Sequence, residues 1–71
     1  MKTPKYPEVR VEIDLSGPQG NAFYILGIVK KKMAQNGVSV AELAEFHKQA
    51  ISGDYDNLLE VVHSWVDFQE V

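Results

Sequence analysis

The sequence contains no cysteine. That excludes a disulfide staple, a thiolate metal site and a catalytic thiol. No apolar run approaches the ~20 residues that span a bilayer. The opening stretch, MKTPKYP, has no apolar signal core. A soluble, cytoplasmic protein is the expectation. Low-complexity segments and internal repeats are also missing. Cations are scarce: seven Lys and Arg stand against ten Asp and Glu, a net charge of −3. That balance argues against general nucleic-acid binding. A chain of 71 residues makes one small domain and buries only about 60% of the surface its unfolded form exposes. Its expected stability is marginal, about 5 kcal/mol.

The charge that is present is uneven. Through Asn36, six cations outnumber Glu8, Glu12 and Asp14. From Gly37 onward, Lys48 alone opposes seven carboxylates. Such halves attract each other within one fold or between copies, or form two solvated surfaces.

Residues 1–7 hold two prolines and no periodicity, so they read as a flexible arm before a single domain over 8–71. Val9, Val11, Ile13 and Leu15 alternate with Arg10, Glu12 and Asp14, which predicts a half-buried strand. Ala22, Ile25, Leu26, Val29 and Met33 recur at helical spacing. They predict a first helix over about 21–35, ended by Asn36-Gly37. Ser39 with Glu42 forms a capping box for a second helix, with Val38 and Leu43 as its hydrophobic staple. Val40, Leu43, Ala44, His47, Ala50 and Ile51 are the predicted core face of that helix, and Gly53 stops it. Asp54 or Asp56 caps a third helix through about Trp65, with Leu58, Leu59, Val62, Trp65 and Val66 as its apolar side. The tail, VDFQEV, reads as a short second strand beside the first. The fold class is therefore α+β: a two-stranded sheet from the chain ends on a three-helix cluster. Two strands are a poor sheet alone, so extension of the sheet in a homodimer is expected.

The stretch SGPQGNAFYILG, 16–27, places two glycines where the strand hands over to the helix. Phosphate loops occupy such places. Gly20 is followed by Asn21-Ala22, however, and not by the Lys-Ser/Thr of a Walker loop. The chain has no room for a dinucleotide-binding sheet, and Pro18 removes one N–H donor. A turn with Asn21 as N-cap explains the stretch. Short connections make successive helices antiparallel, so GNAF and SGDYD are expected at one end of the molecule. There Phe23 and Tyr55 are predicted to close the corner as an aromatic pair.

Other candidate groups have simpler readings. His47 lies on the apolar face of the second helix and reads as a satisfied core histidine. Glu60 and His63 have the Glu-x-x-His spacing of a di-iron ligand pair, but a second such motif is lacking. No metal or other cofactor is called for. Ser16, Ser39, Ser52 and Ser64 lie outside any Gly-x-Ser-x-Gly elbow. No catalytic residue is assigned, and the chain is not read as an enzyme. Lys30, Lys31 and Lys32 fan over about 200° of helix and form no stripe. A helix-turn-helix over 39–52 would present Glu42 and Glu45 to DNA phosphates. The far side of the first helix is less ordinary. Tyr24, Gly27, Ile28 and Lys31 are spaced i, i+3, i+4, i+7 opposite the core stripe. Either the rest of the monomer covers them or a protein partner does.

Two stretches carry a resemblance. GNAFYILG at 20–27 and SGDYDNLL at 52–59 resemble the paired motifs of a family of small proteins of unknown function, encoded largely by bacteriophages. The resemblance spans Val9 to Trp65. It singles out Gly20, Asn21, Phe23, Gly27, Gly53, Asp54, Tyr55 and Leu58. It implies a phage or prophage origin and life in a bacterial host cytoplasm, and it brings no catalytic residue. The resulting expectation is an accessory protein that binds another protein, a second copy or a host protein, through Tyr24 and Ile28. Two alternatives stand beside it. One is a small anion or nucleotide module at the Asn21/Tyr55 end. The other is an acidic mimic of nucleic acid.

Overall fold

The computed structural model describes residues 3–17 and 21–70. The order is β1 (Tyr6–Ile13), α1 (Ala22–Gln35), α2 (Val40–Ala50), α3 (Tyr55–Trp65) and β2 (Val66–Glu70). The α+β reading holds. The two strands pair in parallel, with Arg10 opposite Asp67, Val11 opposite Phe68 and Glu12 opposite Gln69. Parallel neighbours need a long crossover, and the three helices supply it. β2 follows α3 without a loop, since Trp65 ends one and Val66 begins the other.

Alternation sorts β1 into two faces. Val9, Val11 and Ile13 are buried with Val66 and Phe68 of β2. Arg10 and Glu12 stay in solvent. Onto the buried face pack Ile25, Leu26, Val29 and Met33 of α1, Phe46 and Ala50 of α2, and Leu58, Val62 and Trp65 of α3. Phe46 meets the Trp65 ring edge-on at 5.6 Å.

The caps follow the local sequence. Asn21 Oδ1 accepts from the Phe23 N–H at 2.8 Å and the Tyr24 N–H at 3.4 Å. Ser39 Oγ accepts from the Glu42 N–H, and Asp54, not Asp56, accepts from the Asn57 N–H. Gly37, at φ +85°, ends α1. The Val38 N–H reaches the Met33 carbonyl and the Gly37 N–H reaches that of Ala34, a Schellman pair.

Three expectations need correction. The core face of α2 is rotated from the predicted one. Phe46 and Ala50 are buried and Leu43 and His47 half-buried, while Val40, Ala44 and Ile51 are exposed. The reason is the Trp65 ring, which gives Phe46 a large partner on that side. Tyr6 and Pro7, expected in a flexible arm over 1–7, already lie in β1, and the Lys5 N–H donates to the Ser64 carbonyl. Finally, only half of the capping box forms, because Lys5 and Tyr6 hold the Glu42 carboxylate.

Candidate functional site

The start of α1 and the α2–α3 turn do meet. They enclose a hollow of about 250 Å³ floored by the apolar side chains of Ala22, Leu26, Ala50 and Leu58. Phe23, Ile51, Gly53, Asp54 and Tyr55 complete its lining. Phe23 is 83% exposed, Ile51 57% and Tyr55 40%. Phe23 therefore does not close the corner against Tyr55, as the sequence predicts. It projects beside an open hollow, held there by the Asn21 cap at its own backbone. Gly20, the remaining residue of the motif pair, lies outside the described residues.

Local geometry keeps this end fixed. Asn57 Nδ2 donates to the Gln49 carbonyl at 3.0 Å, tying the start of α3 to the last turn of α2. A Cβ on Gly53 would lie 2.9 Å from the Asn57 Cβ. Gly53 is thus required by close approach and not by a left-handed backbone. Among the described residues of the lining, Asp54 alone carries a carboxylate, and it already accepts from the Asn57 N–H. Likewise the Asn21 side chain occupies N–H groups that an anion at α1 would use.

The outer stripe of α1 is only partly open. Tyr24 is 44% exposed, and Gly27 and Lys31 are exposed. Ile28 is half-buried and packs against the core. A Cβ on Gly27 would meet nothing within 4 Å, so no neighbour among the described residues demands that glycine. Monomer packing thus accounts for part of Ile28, but not for Tyr24 or Gly27.

The opposite end of α2 is polar and closed. Glu42 Oε1 accepts from the Tyr6 hydroxyl at 2.9 Å and pairs with Lys5 Nζ. Lys5 also sits 4.6 Å from the centre of the Trp65 ring, a cation–π contact. The far edge of the same ring reaches the last turn of α2, where the Trp65 Nε1–H donates to Gln49 Oε1 at 3.0 Å. The bond from Lys5, and then that from Tyr6, hold the Glu42 carboxyl below its ordinary range. The same carboxylate raises Lys5 and Tyr6. Sequence reasoning missed this cluster. Glu42 was already accounted for as a cap, and its partners Tyr6 and Lys5 lie 36 and 37 positions away.

The remaining candidates disperse. His47 Nδ1 lies 3.1 Å from Lys30 Nζ, which links α2 to α1 as a structural contact. His63 Nε2 lies 3.6 Å from Glu70 Oε1, and its ring meets Phe68 edge-on. Among the described residues, no three His, Cys, Asp or Glu side chains gather as a metal site. A larger crevice, about 620 Å³, runs beside β2 and is lined by Glu60, Val61, His63, Ser64 and Val66–Gln69, with Pro4 and Asn57. Its lining is the more polar of the two, with Glu60, His63, Ser64, Asp67 and Gln69 against the largely apolar lining of the smaller hollow. No helix among the described residues is long and apolar enough to cross a membrane. No family model matches the chain, and neither a curated protein nor a solved structure matches it.

Proposed function

We propose that this chain is a small accessory protein, of the phage type its paired motifs resemble, that acts by binding another protein in a bacterial host cytoplasm. The observation that supports this reading is the clustering of exposed apolar side chains. Among the described residues, three of the five large hydrophobic ones that stand exposed, Phe23, Ile51 and Tyr55, surround one apolar hollow. Monomers seldom leave such a patch open without a partner, and aromatic anchors beside a pocket dominate protein contacts. Phe23 inserts into the partner, and the hollow receives an apolar side chain in return. Tyr24, next along α1, extends the contact to the outer helix face.

The alternatives have less support. An anion module needs free donors at the start of α1, where the Asn21 side chain is already bound. An acidic mimic needs a continuous acidic surface, from which Lys5 removes Glu42.

The test is capture from bacterial lysate by the wild type and by a Phe23→Ser, Ile51→Ser double variant. Both side chains are mostly exposed, so the variant is expected to keep its fold, checked by circular dichroism and melting temperature. A specific protein held by the wild type and lost by the folded variant supports the reading. Equal retention by both, or no specific protein on the wild type, refutes it.

A further inference from the structure

The hollow leaves one structural feature unexplained. Among the described residues, β1 is hydrogen-bonded to β2 alone, in a two-stranded sheet. Parallel sheets are normally larger and covered on both faces, and unpaired edges are templates for another strand. Here one face carries Arg10 and Glu12 in solvent, paired with each other along the strand at 3.5 Å, and a dimer exchanges this exposed pair for the same pair across the axis.

The two edges of this sheet are not equivalent. The β2 edge carries Asp67 and Glu70 and adjoins Glu60 in the crevice. Two β2 edges would set acidic strand against acidic strand. The β1 edge carries Glu8-Val9-Arg10-Val11-Glu12-Ile13, and this sequence complements itself. If two copies run antiparallel with Val11 on the two-fold axis, Arg10 of each copy faces Glu12 of the other. On the buried face Val9 then faces Ile13. Opposite charges directly across an antiparallel pair are stabilising, and a one-residue slip would turn the apolar set outward.

The ends of the segment fit as well. The pairing reaches from Glu8 to position 14, and Pro7, which has no N–H to donate, lies just outside it. Glu8 and Asp14 are like charges across the ends. The Asp14 carboxylate, however, is turned back onto Ser16, whose Oγ–H and backbone N–H both donate to it. Above the strand, α1 packs on β1. At 100° per residue, Ile28 lies on the flank of α1 away from Lys30, which contacts α2, and away from Phe23 at the hollow.

We propose that two copies of this chain join through antiparallel β1 edges centred on Val11, giving a continuous four-stranded sheet closed by reciprocal Arg10–Glu12 pairs. This interface is separate from the Phe23 hollow, and its test does not depend on a binding partner there.

The test uses sedimentation equilibrium on the full chain. The wild type is expected to dimerise. Arg10→Glu alone sets Glu against Glu twice, and Glu12→Arg alone sets Arg against Arg twice. Each is expected to weaken self-association roughly tenfold to hundredfold. Both positions face solvent, and circular dichroism confirms the fold. An equimolar mixture of the two single variants restores both pairs, so the heterodimer should form where neither variant associates alone. A wild type that stays monomeric up to millimolar concentration overturns the proposal. So do single variants that dimerise as well as the wild type, or a mixture that fails to associate.

Discussion

At the first turn of α2 a carboxylate, Glu42, is held by a lysine and a tyrosine, beside a tilted Tyr6–Trp65 ring pair with Phe46 edge-on to the tryptophan. At the last turn Ile51 stands more than half exposed, beside a phenylalanine that is more exposed still. The two ends of one short helix thus treat aromatic and apolar groups oppositely. The closed end encloses its rings and satisfies the Tyr6 hydroxyl. The open end is just as firmly held, by Asn57 across the α2–α3 turn and by the Asn21 cap, yet it leaves its apolar groups in water. A fixed backbone with exposed apolar side chains is what a binding surface requires. An incompletely packed core would lack those backbone pins.

The comparison breaks first at its two phenylalanines. Phe46 is fully buried, so Phe46→Ala should cost about 3–5 kcal/mol. That is much of the stability available to a domain of this size. Phe23→Ala should stay within about 0.5 kcal/mol of wild type. Urea titration of both variants checks this. Equal losses would mean that Phe23 is a core residue and that the open end is part of the packed interior.

Two glycines sharpen the contrast. Gly53→Ala places a Cβ against the Asn57 Cβ and disturbs the pin across the turn, for a loss of about 1–3 kcal/mol. Gly27→Ala enters open space inside a helix and should stabilise the chain by up to about 1 kcal/mol. Opposite signs in thermal melts are the expected result. A stabilising Gly53→Ala would show that the turn is not held by close contact.

Much of this fold is legible locally. The alternation from Val9 to Ile13, the caps at Asn21, Ser39 and Asp54, and the Gly37 terminator are short-range signals, and each appears where the residues place it. Even the meeting of GNAF with SGDYD follows from short connections. The candidate site is less legible. Apolar residues spread widely around α2, and helical spacing alone does not say whether Phe46 or Ile51 faces inward; Trp65 decides that through space. For the same reason Phe23 reads as one half of a packed pair, since nothing in its neighbours reveals that it stays in water. The hold of Lys5 and Tyr6 on Glu42 is a contact between distant positions, so the arm looks loose when read by itself.

That hold yields the smallest effect and the one with a sign that depends on pH. The Glu42 carboxyl is held below its ordinary range, first by the Lys5 bond and then by the Tyr6 bond. A carboxyl lowered by folding stabilises the folded state above its unfolded value, and this contribution disappears as pH falls through the folded value. Lys5 and Tyr6 are raised by the same bonds. The Lys5 contribution is therefore complete below its ordinary value and is lost as pH climbs through the raised one. Tyr6 must stay protonated to donate, but its raised value means that folding disfavours the phenolate, which also limits stability in alkali. Glu42→Gln should accordingly melt below wild type near neutral pH. The two curves should converge in strong acid, where the wild-type carboxyl is itself protonated. High salt should narrow the gap at neutral pH, since the groups are partly exposed and screened. A gap that persists unchanged into acid would mean that Glu42 acts through packing or its backbone cap. The closed end of α2 would then owe its closure to the packed rings alone.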